Sequence, residues 1–482
     1  MADRGDRSGS QPTLFRDALV TIATRFGLAL LILGTDVLLA YLIGPAAKGR
    51  FTLIVLYSEL AAMLVGWGTD NALAVVSGRD RDDARRGLAN ALVWSAIVGG
   101  FAIVLSAWLY GIPTSGPPRG PLAGAIPNLS ASQFLFAAVA IPGELFFALG
   151  LFALLGRQQV IAYSVIRIMR RGVLLVLCVA AAAIATLSLD VALLLNLLTL
   201  VATSLAIGWV AWRDRILSLR PSLALLREEL RFGSRAIGGA LAERLLFRAD
   251  AFLVNLLVGV TATGVYSVTS GLAETLWYIP NALGIVMFSR AVDPEADAAR
   301  IAAVLTRTTF AVTLVCAIPA FIVGPWLVET VYGSAFRDAG FALRWILPGV
   351  VAYSAVAIIS RYVVGQGRPG AWTLILLTGL GLNLASNVIL IPRLGINGAA
   401  LSSSISYVAT AFLTVIIFRR LSGLGYRATL VVQREDIAAL RRRFAVLAAR
   451  ITGRQRGPIH GLPGGPTTAR LVIDEREPGE EP

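Results

Sequence analysis

The residues able to do chemistry in this sequence are charges set inside long apolar stretches. Arg25 and Asp36 lie in the first such stretch, Glu59 and Asp70 in the second, and Arg167, Arg170 and Arg171 in the fifth. The seventh carries Glu243, Arg244, Arg248, Asp250 and Asn255, the eighth Glu274, and the eleventh Asn383 and Asn387. An ionisable group at mid-membrane costs about 2.5–3.5 kcal/mol on insertion scales, so it faces a hydrated cavity or a partner. On a helix, Arg25 and Asp36 share a face to within about 20°, yet stand about 16 Å apart along the axis. Arg244, Arg248 and Asn255 fall within about 40° of one another, with Glu243 and Asp250 on an adjoining strip.

Two readings of these charges compete. One is a central, hydrated, arginine-bearing cavity for an anionic group, because the planar guanidinium fork binds phosphate oxygens bidentately. The other is a set of internal ion pairs that hold helices together. For Asp36, Asp70, Glu243, Asp250 and Glu274 pairing comes first, with ion coupling as the functional alternative. For Arg244 and Arg248 the cavity comes first, because the bases around them outnumber the nearby acids once Arg167, Arg170 and Arg171 contribute. Those three either join the cavity or sit at the membrane interface.

Other chemistries are excluded. The one histidine, His460, lies in the C-terminal tail, which removes histidine catalysis from the apolar region. Cys178 and Cys316 sit in apolar stretches, with no metal-ligand spacing and no disulfide framework. No phosphate-binding glycine loop follows a strand, so nucleotide hydrolysis has no site. The expectation is a non-enzymatic carrier without a bound cofactor.

The elements that must position these charges are membrane helices. Of the 482 residues 56% are hydrophobic and 15% charged, against about 25% charged in a soluble domain; mean hydropathy is +0.73. The apolar blocks approach the roughly 20 residues that span a bilayer and lack the alternation of a β-barrel. Twelve spans are predicted, at 18–43, 52–77, 88–110, 132–155, 160–186, 190–211, 234–258, 265–289, 303–328, 341–364, 371–391 and 397–418. Arginine-rich loops (78–87, 212–233, and 419–427 after the last span) alternate with poorer ones holding Lys48 and Arg50, Arg119, Arg337 and Arg393. By the positive-inside rule both termini are cytoplasmic. The net charge of +14 is thus topological, and no nucleic acid partner is expected.

An internal repeat divides the twelve spans. Leu42-Ile43-Gly44 followed by Gly49 and Phe51 echoes Leu257-Val258-Gly259 followed by Gly264 and Tyr266, with Asp36 and Asp250 nearly in register. A second echo pairs Ile141-Pro142-Gly143 with Leu347-Pro348-Gly349. Six spans per half make the repeat parallel. The fold class is therefore all-α, a polytopic membrane protein with about twelve transmembrane helices in two parallel six-helix lobes around a central cavity. Its domains are a cytoplasmic segment 1–16, the first lobe 17–212, a cytoplasmic linker 213–232, the second lobe 233–420, a basic amphipathic helix 421–455 and a disordered tail 456–482. That basic helix suits an anionic leaflet or an oligomerisation contact equally well.

Several short motifs add a resemblance. Leu42-Ile43-Gly44-Pro45 with Gly49-Arg50-Phe51, Phe247-Arg248-Ala249-Asp250, Gly264-Val265-Tyr266-Ser267, Val331-Tyr332-Gly333-Ser334-Ala335-Phe336 and Leu390-Ile391-Pro392 with Gly395-Ile396-Asn397-Gly398 occur in this order. Over residues 15–420 the chain resembles the polysaccharide and oligosaccharide flippases of the multidrug/oligosaccharidyl-lipid/polysaccharide superfamily. The resemblance implies a bacterial inner-membrane flippase that moves an undecaprenyl-pyrophosphate-linked oligosaccharide for O-antigen, capsule or exopolysaccharide assembly. It implies alternating access, coupling to a proton or sodium gradient, and partnership with a polysaccharide polymerase and glycosyltransferases. It makes Arg25, Arg244 and Arg248 cavity candidates for the pyrophosphate or an acidic sugar, and Asn255 joins them as a cavity candidate by its place on the same face of the seventh span. The alternatives are a multidrug extruder of the same superfamily, a membrane glycosyltransferase, and a scaffold acting through the basic C-terminal helix. A glycosyltransferase would need catalytic carboxylates in an outer loop, and the longest one, 112–130, has none.

Overall fold

The structure, a computed structural model, describes residues 11–112, 118–291 and 297–436; over 11–26 and at 28, 29, 285, 286, 288 and 289 it describes the backbone alone. The described residues form helices and no strand. In the first half these are α1 (Gln11–Gly66), α2 (Thr69–Arg79), α3 (Arg81–Tyr110), a short α4 (Pro121–Ala125), α5 (Ala131–Gly156), α6 (Val160–Ile184) and α7 (Leu189–Arg213). The second half has α8 (Leu223–Leu257), α9 (Val260–Thr275), α10 (Tyr278–Ala291), α11 (Ala298–Tyr332), α12 (Arg337–Gly365), α13 (Pro369–Leu394), α14 (Ile396–Ser422) and α15 (Tyr426–Leu430). Among them, 8 have the length and apolarity to cross a membrane outright. Each of the twelve expected spans is occupied by helix: α1 supplies two, and spans 2 and 8 are each made of two shorter segments.

The repeat is visible in the backbone. Gly44 interrupts α1 at φ 73, ψ 173, and Gly259 separates α8 from α9 at φ 120, ψ 173. A side chain rarely adopts such angles, so glycine makes both turns possible. Pro45 and Val260 restart the helix at once, which the sequence reading missed by placing Lys48 and Arg50 in a loop. Spans 2 and 8 then break again, at Trp67 (φ 51) with Gly68 (φ 71) and at Leu276–Trp277, where two turn hydrogen bonds bridge α9 to α10. The proline echo recurs in the fourth span of each lobe. Gly143 in α5 lies under Leu200 of α7, and Gly349 in α12 lies against Ser404 of α14. Both are contacts between the fourth and sixth spans, allowed because glycine brings no side chain to the crossing.

Each lobe has its own core. In the first, Tyr110 stacks on Phe134 with ring centroids 3.8 Å apart, among Leu53, Leu174 and Leu193. In the second, Phe247, Trp277, Tyr353 and Tyr407 form an aromatic cluster with centroids 5.1–5.6 Å apart. The lobes meet at the end carrying the two glycine turns. A Cβ on Gly49 would collide with the Val260 carbonyl, and one on Gly264 with the Pro45 carbonyl. The two equivalent glycines thus stand back to back, and Ala40 packs with Val265, Val268 and Tyr332 beside them.

The expected linker 213–232 is shorter than predicted. Helix α8 starts at Leu223, capped by the Ser222 hydroxyl accepting from the Leu225 amide. Its first turns lie on lobe 1, where Asn90 Nδ2 donates to the Ser222 carbonyl at 3.1 Å and to Glu229 Oε2 at 3.4 Å. The Gly68 and Gly233 backbones touch just beyond. Residues Met1–Val431 belong to one compact unit and Val432–Pro482 to another. Of the second, Gln433 donates its amide to Asp436 at 2.9 Å. The remainder of the expected amphipathic helix, and the tail, lie outside the described residues.

Candidate functional site

Two connected cavities lie between the lobes. The deeper one, about 280 Å³, is lined from α1 by Asp36, Lys48 and Glu59, from α6 by Arg171, from α8 by Arg244, Arg248 and Asp250, and from α9 by Glu274. The other, about 490 Å³, leads away from the glycine turns toward Gly68 and is lined by Glu59, Asp70, Glu144, Arg167, Arg170 and Arg244. Glu59 and Arg244 belong to both walls. Arg244 donates to Glu59, so a lobe-to-lobe ion pair stands where the two spaces join.

Most of these charges are matched one to one. Lys48 Nζ donates to Asp36 Oδ1 at 2.5 Å. Arg170 clamps Glu144 with both terminal nitrogens, Nη1 to Oε2 at 2.8 Å. Arg248 clamps Glu274 at 2.6 and 2.8 Å, leaving its Nε without a partner. Asp250 is buried and accepts from the Tyr266 hydroxyl at 2.5 Å, the Ser403 hydroxyl at 3.0 Å and the Ala251 amide at 2.8 Å. Asp70 accepts from the Asn71 amide in the first turn of α2, where a carboxylate suits the helix dipole. Arg167 donates to the Tyr163 hydroxyl at 3.1 Å. Arg171 differs: among the described residues no carboxylate lies within ion-pair distance of it, and it faces the deeper cavity.

The charge balance departs from expectation. The two linings hold six acidic and six basic residues among the described ones, whereas the sequence reading had bases in excess. Glu144 adds a carboxylate that the expectation did not include, and the Glu59–Arg244 pair brings another beside the arginines. Glu144 follows Pro142-Gly143 in an otherwise apolar span and was not singled out, and Glu59 was not given a partner.

Of the predicted site residues, Asp36, Asp70, Arg244, Arg248, Asp250 and Glu274 come together on these walls. The Arg25 side chain lies outside the described residues. Asn255 shares the helix face of Arg248 but lies two turns nearer the closed end. It is buried there and donates to the Pro127 carbonyl at 3.0 Å while accepting from Asn128 at 3.4 Å, so it ties the lobes together rather than lining the cavity. Glu243 lies on neither wall; its charged neighbour is Arg361 of α12, inside lobe 2. Asn383 and Asn387 are buried in lobe 2, where Asn387 donates to Asn383 and Asn383 to Ser406. Of the two positions open to Arg167, Arg170 and Arg171, the structure has all three on the cavity walls; Lys48 is an addition. Lys48, the one lysine of the chain, was readable twelve residues after Asp36 across a Gly-Pro turn, a spacing that folds two helices back on each other.

Residues 38–340 match the family described as polysaccharide biosynthesis protein. No curated protein sequence matches the chain. Among solved structures, the lipid II flippase MurJ in an inward closed conformation superposes with a TM-score of 0.67 at 13% identity, covering 91% of this chain and 94% of that one. The inward-facing form of a MATE-family multidrug resistance transporter of the MOP superfamily gives 0.64 at 18%, covering 84% and 98%. An outward-facing form of such a transporter gives 0.57 at 17%, covering 84% and 95%. The two-lobe arrangement is thus a known membrane-transporter fold.

Proposed function

Since the chain belongs to the polysaccharide biosynthesis protein family, we propose that it is a flippase, a transporter rather than an enzyme, which carries an undecaprenyl-pyrophosphate-linked oligosaccharide across the bacterial inner membrane. One observation carries the reading: the guanidinium of Arg171, with no carboxylate in ion-pair distance among the described residues, faces a space between two lobes that is closed at the glycine turns and continues toward the other end. A pyrophosphate entering that space meets Arg171 first, then competes with Glu59 for Arg244 and with Glu274 for Arg248. Breaking the Arg244–Glu59 pair releases a lobe-to-lobe contact, which links cargo binding to alternating access. The arginine-rich loops, by the positive-inside rule, support a cytoplasmic position for both termini and for the wider end of the cavity. The closer likeness to the inward-facing MATE form supports that orientation. Asp36 and Asp250 are the candidates for coupling to a proton or sodium gradient. The glycan released outside would pass to a polysaccharide polymerase, downstream of glycosyltransferases that build it; O-antigen, capsule and exopolysaccharide are the candidate products.

Inverted vesicles loaded with a fluorescent undecaprenyl-pyrophosphate glycan test this reading. The wild type should move the label to the lumen, and Arg171→Ala should not. Movement by the variant at the wild-type rate removes the assignment. The balanced lining also suits a cationic cargo, because six carboxylates face the space. A multidrug extruder is the second reading, and it predicts protection of a pump-deficient host from cationic dyes.

A further inference from the structure

A second basic concavity lies away from the central space, at the end of lobe 1 opposite the glycine turns. Arg81 opens α3, Arg157 follows α5, and Arg213, Asp214 and Arg215 close α7; together they line a hollow of about 430 Å³. Four guanidinium groups share it with one carboxylate.

Apart from Arg213, whose guanidinium lies 5.8 Å from the centroid of the Trp209 ring, these arginines have no side-chain hydrogen bond, ion pair or ring contact among the described residues. Nearby, Arg79 pairs with Glu228 at 2.5 Å and Arg85 and Arg86 with Asp82, but Arg81, Arg157, Arg213 and Arg215 have no carboxylate partner among the described residues. Nor do they cap the helices. The last carbonyls of α5 accept from the backbone amides of Arg157, Gln158 and Gln159, and those of α7 from Asp214, Arg215 and Ile216. Arg81 stands at the start of α3 between Asp80, which caps the helix, and Asp82 and Asp83 of the first turn; none of these three carboxylates lines the hollow. The depth of the hollow is marked by Trp209 and Trp212 on α7, 56% and 66% exposed within a turn of Arg213. Outward-facing tryptophans settle at the level of lipid headgroups, and basic pockets between spans at that level hold anionic ones.

We propose that this hollow binds the phosphate-bearing headgroup of an anionic phospholipid, as a site separate from the transport cavity. All its walls come from α3, α5 and α7, so the lipid stays with lobe 1 and leaves the lobes free to move. The test uses the full chain purified in detergent, with phosphatidylglycerol or cardiolipin titrated and occupancy read by native mass spectrometry. Phosphatidylcholine and inorganic phosphate are the control ligands. Binding should weaken about five-fold for each arginine removed, in Arg157→Gln/Arg215→Gln and in Arg81→Gln. The single variant changes an exposed side chain with no carboxylate partner among the described residues, so it keeps the fold intact and stays decisive if the double variant is poorly folded. Unchanged occupancy in Arg81→Gln, or displacement of the lipid by inorganic phosphate, overturns the proposal.

Discussion

Arg171 and Arg248 face the same space but differ in what their removal leaves behind. Deleting the Arg171 side chain strands no carboxylate, whereas Arg248→Ala strands Glu274, whose two oxygens it holds at 2.6 and 2.8 Å. A charge-assisted hydrogen bond is worth about 1.5–3 kcal/mol, so Arg171→Ala should reduce glycan export about ten-fold or more with membrane abundance unchanged. Arg248→Ala should reduce both export and abundance, and Arg248→Ala/Glu274→Gln should restore abundance alone; quantitative immunoblots beside an export assay separate the two. A pH effect belongs to Glu229, outside the expected span 234–258. Burial against lobe 1 pushes its carboxyl up to about 8, and the Asn90 amide and Glu228 are the other groups acting on it. A raised carboxyl favours the docked, protonated form. Its stabilising contribution is whole below the unfolded value near 4.5 and is lost as pH rises through about 8. The melting temperature in detergent should therefore fall between pH 5 and pH 8, and Glu229→Gln should flatten that slope; an unchanged slope removes Glu229 as its source. Sequence periodicity placed Arg244, Arg248 and Asp250 at the site because face follows from residue number. It could not separate Asn255 from them, because depth relative to the closure depends on where the other lobe lies. Pairing was illegible for the same reason: Glu59 and Arg244 are 185 positions apart.

At the level of elements, the glycine turns were the most legible feature. Two glycines five residues apart, repeated in the seventh span, gave the position of both turns and of the close contact between lobes. What the pattern concealed was the immediate restart of helix after Gly44 and Gly259, since Pro45 reads as a loop residue unless it is recognised as the first residue of a helix. The early start of α8 was hidden too, because its polar first turns resemble a linker until lobe 1 is present to cover them. A Val at Gly264 would drive its side chain into the Pro45 carbonyl. Gly264→Val should therefore hold the lobes apart at this end and abolish export while the protein still inserts. Cysteines placed on the two sides of the contact should cross-link in the parent and fail to do so in the variant; cross-linking in both would mean that the contact tolerates bulk.

For the whole molecule, composition and hydrophobic blocks sufficed for the class, and the span count survives although only 8 described helices meet a strict length and apolarity test. The difference of four comes from helices that are broken or polar, the ones that carry the cavity: α6 and α8 with their charges, and the split second and eighth spans. Orientation is a separate prediction. Reporter fusions at Arg85 and Arg227 should signal the cytoplasm and one at Arg119 the outer side; the reverse pattern would place the wide end of the cavity outside. The back-to-back glycines also limit how the two halves can diverge. When a contact joins two large residues, growth on one side can be offset by shrinkage on the other. Gly49 and Gly264 are already the smallest residue available, so neither can make room for a change in its counterpart. Genetic suppressors of a bulky substitution at either site should therefore never map to the partner glycine. They should arise at a distance, in residues such as Glu59 or Arg244 whose loss lets the lobes swing apart or settle at a new angle.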